Sequence, residues 1–195
     1  VGLGLNDESF YPLEEMHRKS YFSKSNYSNV NVALNVKVIE GLDVDLRYQL
    51  EKNNSLVQNY YAPQSYTLRN QINNSSIVNA DGSIKHLIPE GGYIDETRSD
   101  KNSYTLRAQI NFNRTFDEKH EVSAIAGGER RAVHSTSTYV EKYGYDKVSL
   151  AHKYLDEATL NQTQQGTEAI NNSYTHVPNG YPDTFGDKED RYVSF

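Results

Sequence analysis

Several common features are absent from this sequence of 195 residues. It contains no cysteine and no tryptophan, so a disulfide framework and thiolate chemistry are excluded. No stretch approaches the roughly 20 consecutive apolar residues that a membrane-spanning helix needs. Hydrophobic residues make up 36% of the chain and the mean hydropathy is -0.79, which argues against a large core of its own.

Positive charge is too sparse for a nucleic-acid surface. The 20 Lys and Arg residues are outnumbered by 26 Asp and Glu residues, which gives a net charge of -6. They also lie scattered along the chain and form no basic stripe, so no DNA or RNA partner is expected. Tyrosine, by contrast, occurs 16 times. This aromatic content is not that of a disordered chain, and the sequence predicts an ordered protein.

Signatures of catalysis and of metal binding are missing as well. The six histidines are isolated, with no H-E-x-x-H pattern. An acidic cluster over 183–190 lacks the spacing of a calcium loop. No G-x-S-x-G, G-x-G-x-x-G or G-K-[ST] motif occurs. We therefore expect no catalytic residues, no metal and no cofactor, and a protein that is not an enzyme.

Period-two alternation predicts β-strands. Every second residue over 30–38 is apolar and the residues between are polar or small, which is the pattern of a strand with two different faces. After Ile39-Glu40-Gly41 the alternation resumes over 42–50, so a Gly-centred turn joins two antiparallel strands. A second hairpin is predicted from the alternation over 104–112, a polar turn at 117–119 and a less regular return strand.

The connections between these strands alternate in length. Short turns near 40 and 117 contrast with long polar stretches over about 52–103 and 134–189. Transmembrane barrels have short periplasmic turns and long outer loops, and their strands need about 9 to 11 residues. We therefore predict an all-β fold, a segment of an antiparallel transmembrane β-barrel with about four full strands and a partial fifth. The predicted organisation is a loop over 1–27, a barrel hairpin over 28–51, a long extracellular loop with strand extensions over 52–103, a barrel hairpin over 104–133, a long extracellular loop with a short helix over 134–189, and the start of a further strand over 190–195.

The two faces of the predicted strands meet different surroundings. The outward, lipid-facing set is Val32, Leu34, Val36, Leu46, Tyr48, Leu106, Ile110 and Phe112. The inward set is Asn35, Arg47, Gln49, Arg107 and Asn111. In the second long loop, apolar residues at helical spacing predict a short amphipathic helix over 147–160.

Tyrosines near the predicted strand tops allow two interpretations. One is an aromatic girdle at the membrane interface, which is favoured for those that flank strands. The other is a set of stacking platforms for sugar rings, because tyrosine combines an apolar face with a polar hydroxyl. The candidate substrate-binding residues of loops and lumen are Tyr60, Tyr61, Tyr66, Tyr93, Arg107, Tyr143 and Tyr145.

Three parts of the chain resemble one known family. Ser103–Phe116, followed by Lys119–Val122 and Ala126–Glu129, is similar to a barrel hairpin of SusC/RagA-like TonB-dependent transporters. Asn31–Leu42 resembles the preceding hairpin of that family, and Asp190–Tyr192 resembles the start of a later strand. The matches together span most of the chain, while each motif alone is only moderately specific.

The resemblance implies a protein of the bacterial outer membrane, of Bacteroidetes type, that imports glycans or peptides. It also implies a SusD-like surface lipoprotein as partner, contact with outer-membrane lipid, and energy from TonB acting on a plug. The plug and the TonB box are not recognisable in these residues. The absence of an initiator Met, with a start too short for a signal peptide, predicts that the sequence comes from within a longer protein.

Two alternatives stay open at the level of sequence. A soluble, secreted antiparallel β domain that binds glycans also has alternating strands, because one of its faces packs on a core and the other meets water. A glycoside hydrolase fragment ranks last, since no acid/base pair of carboxylates can be identified. Partition between outer-membrane detergent extracts and the soluble fraction discriminates between the first alternative and the barrel.

Overall fold

A computed structural model shows a chain that consists mainly of antiparallel β-strands, and the all-β prediction is confirmed. It describes residues 4–79, 81–117, 119–156, 158 and 183–195. Among these residues, no helix is long and apolar enough to cross a membrane. The elements are α1 (Pro12–Arg18), β1 (Lys19–Ile39), β2 (Leu42–Tyr61), α2 (Tyr66–Asn74), β3 (Ser76–Val78), β4 (Ile84–His86), β5 (Gly92–Phe116), β6 (His120–Tyr145) and β7 (Thr184–Ser194).

The long strands form one sheet in the order β1-β2-β5-β6-β7. Two of its connections are the tight turns predicted from the sequence, one between β1 and β2 and one between β5 and β6. Gly41 lies in the first turn with φ 82°, in the left-handed region that favours glycine. The connection from β2 to β5 carries α2 and the small antiparallel pair of β3 and β4, in which Ser76 lies opposite His86.

The strands are much longer than the predicted hairpins over 28–51 and 104–133. β5 contains 25 residues and β6 contains 26, so β6 extends over roughly 85 Å at about 3.3 Å per residue. In the added lengths the apolar residues do not alternate regularly with polar ones, so period-two alternation does not mark them. Cross-strand hydrogen bonds occur there instead, such as Asn59 Nδ2 to Asp95 Oδ1 at 2.7 Å.

The helix predicted over 147–160 is wrong over its described residues 147–156, which form a turn followed by irregular chain. The Asp146 carboxylate accepts a hydrogen bond from the backbone N–H of Val148 at 2.7 Å, as an N-cap side chain does, but only one turn of chain follows. Leu150 then adopts φ 60° and breaks any helical path. The rest of that prediction falls mainly outside the described residues.

The segment predicted as a loop over 1–27 contains α1 and the first part of β1. Pro12 occupies the first turn of α1, where its missing N–H is not needed. Glu14 lies near the amino end and Arg18 in the last turn, which suits the helix dipole. The short charged helix escaped prediction because it has no apolar periodicity.

The described chain divides into two compact units, and the first of them contains a small hydrophobic core. Ser65 caps α2, because its hydroxyl accepts from the backbone N–H of Leu68 at 3.4 Å. Leu68 and Ile72, one helical turn apart, pack with Ile88 and Tyr143. The first unit comprises Val1–Ser23, Leu56–Thr97 and Thr138–Thr184.

The second unit is a sheet segment with little buried side-chain material. Its buried residues are Ser103, Ala132 and Val133. All 21 residues of β1, which contributes to both units, are exposed to solvent in the isolated chain. The second unit comprises Lys24–Ser55, Arg98–Ser137 and Phe185–Phe195.

Candidate functional site

One face of the second unit carries a continuous network of polar side chains. The Asp45 carboxylate accepts hydrogen bonds from Asn35 Nδ2 at 2.6 Å and from Asn111 Nδ2 at 2.7 Å. On β5, Gln109 donates to Asn111 Oδ1 at 2.7 Å, and Arg107 donates to Gln109 Oε1 at 3.1 Å. These contacts place the five side chains on the same face of β1, β2 and β5. We call this surface the polar face.

Glu51 extends the polar face further along β2. Its carboxylate accepts from the Tyr27 hydroxyl at 2.8 Å and from the Ser103 hydroxyl at 2.9 Å. The Arg131 guanidinium lies 3.8 Å from the same carboxylate. One acidic group thus joins side chains of four strands, and its charge is partly compensated by a neighbouring cation.

The register of β2 against β5 brings two arginines together. A backbone hydrogen bond of 2.7 Å from Asn113 N to Gly41 O fixes the register beside the turn. β2 and β5 are antiparallel, so each later residue of β2 lies opposite an earlier residue of β5. The hydrogen bond between Ser103 and Glu51 fits the same register further along the two strands. Arg47 therefore lies directly opposite Arg107.

Two adjoining cavities lie beside this arginine pair. The smaller, of about 70 Å³, is lined by Asp45, Arg47, Arg107 and Gln109. The larger, of about 150 Å³, is lined by Asn31, Arg47, Gln49, Thr105, Arg107 and Glu129. Arg47 and Arg107 are the two residues that line both cavities.

The other side-chain set of the same strands is apolar and uncovered. Leu34 at the middle of its row on β1 is 55% exposed, and Ile110 on β5 is 47% exposed. Since successive side chains of a strand point to opposite faces, this set lies on the face opposite the polar one. We call it the apolar face. Its exposed members include Val30, Val32, Leu34, Val36, Val38, Leu46, Tyr48, Leu50, Leu106, Ile110 and Val122.

In the first unit, three tyrosines converge on Glu141. Its carboxylate accepts from the hydroxyls of Tyr93 at 2.8 Å, Tyr139 at 2.6 Å and Tyr143 at 3.4 Å. The Tyr143 hydroxyl also accepts from Gln71 Nε2 of α2 at 2.9 Å. Burial, together with the Glu141 charge, raises the pKa of each of these three tyrosines well above the ordinary value.

Comparisons with known proteins bear on the sheet. No protein-family profile and no curated protein matches the sequence. Among solved structures, the RagAB peptide importer is similar in its open-open state, with TM-score 0.56 and 15% identity, and in its closed-closed state, with TM-score 0.59 and 15% identity. The fold is similar to a segment of RagAB. A further structure, of the RagAB peptide transporter, gives TM-score 0.54 at 14% identity.

The similarity to RagAB covers most of this chain and a small part of the other. In each of the three structures it includes 91% of this chain and 15% or 16% of the RagAB chain. At this identity the comparison establishes the fold alone. Roles of individual residues must come from the geometry of this chain.

The seven candidate residues do not form one site. The six tyrosines belong to the first unit and Arg107 belongs to the second. Tyr143 is only 3% exposed and part of the hydrophobic core, so its ring is not available as a stacking platform. The ring centroids of Tyr61 and Tyr93 are 5.6 Å apart, those of Tyr93 and Tyr143 4.7 Å, those of Tyr60 and Tyr145 6.1 Å, and those of Tyr66 and Phe10 5.3 Å.

These ring contacts give the tyrosines a packing role within the first unit. Each of the six rings lies against another aromatic ring, and Lys147 Nζ lies 4.9 Å from the Tyr60 ring centroid. The structure thus adds a third interpretation to the girdle and the stacking platform. Among the residues that the structure describes, no group of three or more His, Asp or Glu side chains is placed to hold a metal.

Sequence reasoning assigned Arg47 to the inward face but did not recognise it as a partner of Arg107. Alternation gives the face of each residue on its own strand. It does not give the register between two strands separated by a long connection. The cross-strand pair therefore becomes visible only in the structure.

Proposed function

We propose that this chain forms part of the barrel wall of an outer-membrane, TonB-dependent nutrient importer of the SusC-like class. Its role is to enclose a path for cargo, and it performs no reaction of its own. The polar face lines the lumen, and the apolar face meets the acyl chains of the outer membrane. The fold similarity to a RagAB segment supports a transporter-related role.

The observation that carries the proposal is the pair of contrasting faces on long strands. The apolar row covers residues 30–38 of β1, close to the roughly 9 to 11 residues that a tilted barrel strand needs to cross a membrane. Outer-membrane barrels carry an outward apolar band about 25 Å tall and a polar interior. The length of the row, and the hydrogen-bonded network on the other face, match that arrangement.

The exposure of the apolar face argues against the soluble glycan-binding domain. A soluble sandwich would cover this face with a second sheet. Leu34, Leu50 and Ile110 are instead 55%, 45% and 47% exposed within the described chain. A soluble protein rarely leaves a contiguous apolar patch of this kind open to water, whereas lipid would cover it without any further protein.

Oligosaccharides or peptides are the proposed cargo, taken up together with a SusD-like surface lipoprotein and with energy from TonB through a plug. The solved structures named above are described as a peptide importer or transporter, and this favours peptides over oligosaccharides. The hydrogen-bonding side chains of the polar face offer donors and acceptors to either class of cargo.

The test is to express the full-length natural protein that contains these residues in a Gram-negative host and to separate its membranes. We expect the protein in the outer-membrane fraction, resistant to carbonate extraction. In a gel run without boiling, the folded barrel should migrate differently from the boiled sample. A periplasmic protein is the control for leakage between fractions. Recovery of the intact protein as a soluble monomer without detergent would overturn the proposal.

A further inference from the structure

Arg47 and Arg107 form an arrangement that strand pairing alone disfavours. The two residues lie directly opposite each other on β2 and β5, within the second unit, and line the same two cavities. Like charges in such a cross-strand position repel each other and destabilise the sheet. Opposite charges or neutral residues are the favourable choices there.

Neither guanidinium has an acidic partner in the described chain. Arg107 donates to the neutral amide oxygen of Gln109. Arg47 makes no hydrogen bond and no ion pair with any residue that the structure describes. Asp45 lines the smaller cavity, but its two oxygens accept from Asn35 and Asn111. Both side chains are exposed, and within the described residues most of their N–H donors have no protein acceptor.

The acidic side chains of the two linings, Asp45 and Glu129, balance the formal charge of the arginines but form no ion pair with them within the described residues. Glu129 lines the larger cavity, yet within the described residues no ion pair joins it to either arginine. Asn31, Gln49 and Thr105 complete the lining and are neutral. Like charges opposite each other on neighbouring strands, with no contact that offsets their repulsion, are characteristic of functional sites. An anion held between the two guanidinium groups would supply that contact.

We propose that Arg47 and Arg107 together form a subsite for the carboxylate group of a cargo molecule. The planar guanidinium fork matches the two oxygens of a carboxylate, and two facing forks can bind both oxygens at once. The inference rests on the proposed function, because it takes the polar face to line the lumen. It goes beyond that function in naming the chemical group of the cargo and the two residues that bind it.

The test measures binding of two probes to the full-length protein purified in detergent. The probes are radiolabelled N-acetyl-trialanine with a free carboxylate and the same peptide with a carboxamide, compared by equilibrium dialysis. Wild-type protein should bind the acid about tenfold or more tightly than the amide, since a charge-assisted hydrogen-bonded pair is at stake. Arg47→Gln and Arg107→Gln should each reduce that preference to near unity, with the affinity for the amide unchanged.

Arg131→Gln is the matched control. It removes the same charge from the same face, but its guanidinium already lies 3.8 Å from the Glu51 carboxylate. The preference for the acid should survive this change. A loss as large as that of Arg47→Gln would mean that general positive charge attracts the probe, and the subsite would be rejected. Equal binding of acid and amide by the wild type would also reject it.

A second readout separates binding from a structural role. Because the facing arginines repel each other, Arg47→Gln should leave the resistance of the folded barrel to urea unchanged or raise it. A clear loss of resistance would show that the arginine holds the sheet together, and would overturn the proposal. If the wild-type protein is a heat-modifiable outer-membrane barrel without preference for the acid, only the subsite fails. If it is not in the membrane, the proposed function fails.

Discussion

Leu34→Arg is the sharpest perturbation of the apolar face. Leu34 is the central member of the row from Val30 to Val38, and its side chain is 55% exposed with no protein cover. If lipid covers the row, this position lies near the bilayer midplane. An arginine there costs about 2–4 kcal/mol on the lipid face of a barrel. Such a cost lowers the equilibrium between folded and unfolded protein by roughly 30- to 700-fold.

The neighbouring residue supplies the control. Asn35 lies on the polar face, where its amide donates to Asp45 at 2.6 Å. Asn35→Arg exchanges this hydrogen bond for a guanidinium–carboxylate pair, so the change in folding free energy should stay within about 1 kcal/mol. The assay is the folded fraction in lipid vesicles across a urea series, read from gel mobility without boiling. Equal losses for the two variants would refute the assignment of the two faces.

Three further predictions concern packing and ionisation. Glu141→Gln should lower the free energy of unfolding by about 1–3 kcal/mol, because tyrosine hydroxyls would lose a charged acceptor; the urea midpoint measures this. Burial and the Glu141 charge raise the pKa of the tyrosines that contact Glu141 above the ordinary value of about 10, so the stability they contribute is complete below that pH and is lost as pH rises further; urea midpoints at increasing alkaline pH check the sign. Gly41→Ala should cost more than Gly82→Ala, since both have φ near 82° but only at Gly41 would the new Cβ clash with a backbone oxygen, that of Asn113; comparable urea midpoints would contradict this.

The sequence was sufficient for the all-β class and for the centres of the strands. Apolar residues over 30–38, 42–50 and 104–112 contrast with polar neighbours because the two faces of the sheet carry different side chains. Where apolar residues are irregularly spaced, as along the outer parts of β5 and β6, this contrast is lost. Alternation therefore stops up to twelve residues short of the strand ends, for example at 104 where β5 begins at Gly92, and the strand extensions expected within 52–103 had no defined bounds.

The candidate site was less predictable than the fold. The tyrosines were read as surface groups, but Tyr143 lies in a core that α2 completes across a long connection in the sequence. The prediction at 147–156 also failed, because Leu150 adopts φ 60° and ends the turn that Asp146 caps. Both errors arise from features that periodicity within one segment does not contain.

The apolar face and the arginine pair break two rules that a soluble sheet normally obeys. A soluble sheet covers its apolar side, and it places opposite charges across from one another. Both features are explained if each face contacts a partner other than bulk water or this chain. In the proposals above, acyl chains contact the row around Leu34, and an anionic group binds between Arg47 and Arg107. The two faces can be tested separately, because Leu34→Arg should impair folding while Arg47→Gln should impair only the binding of a carboxylate. If the apolar face and the arginine pair had no such partners, Leu34→Arg would not selectively impair folding and Arg47→Gln would not selectively impair carboxylate binding.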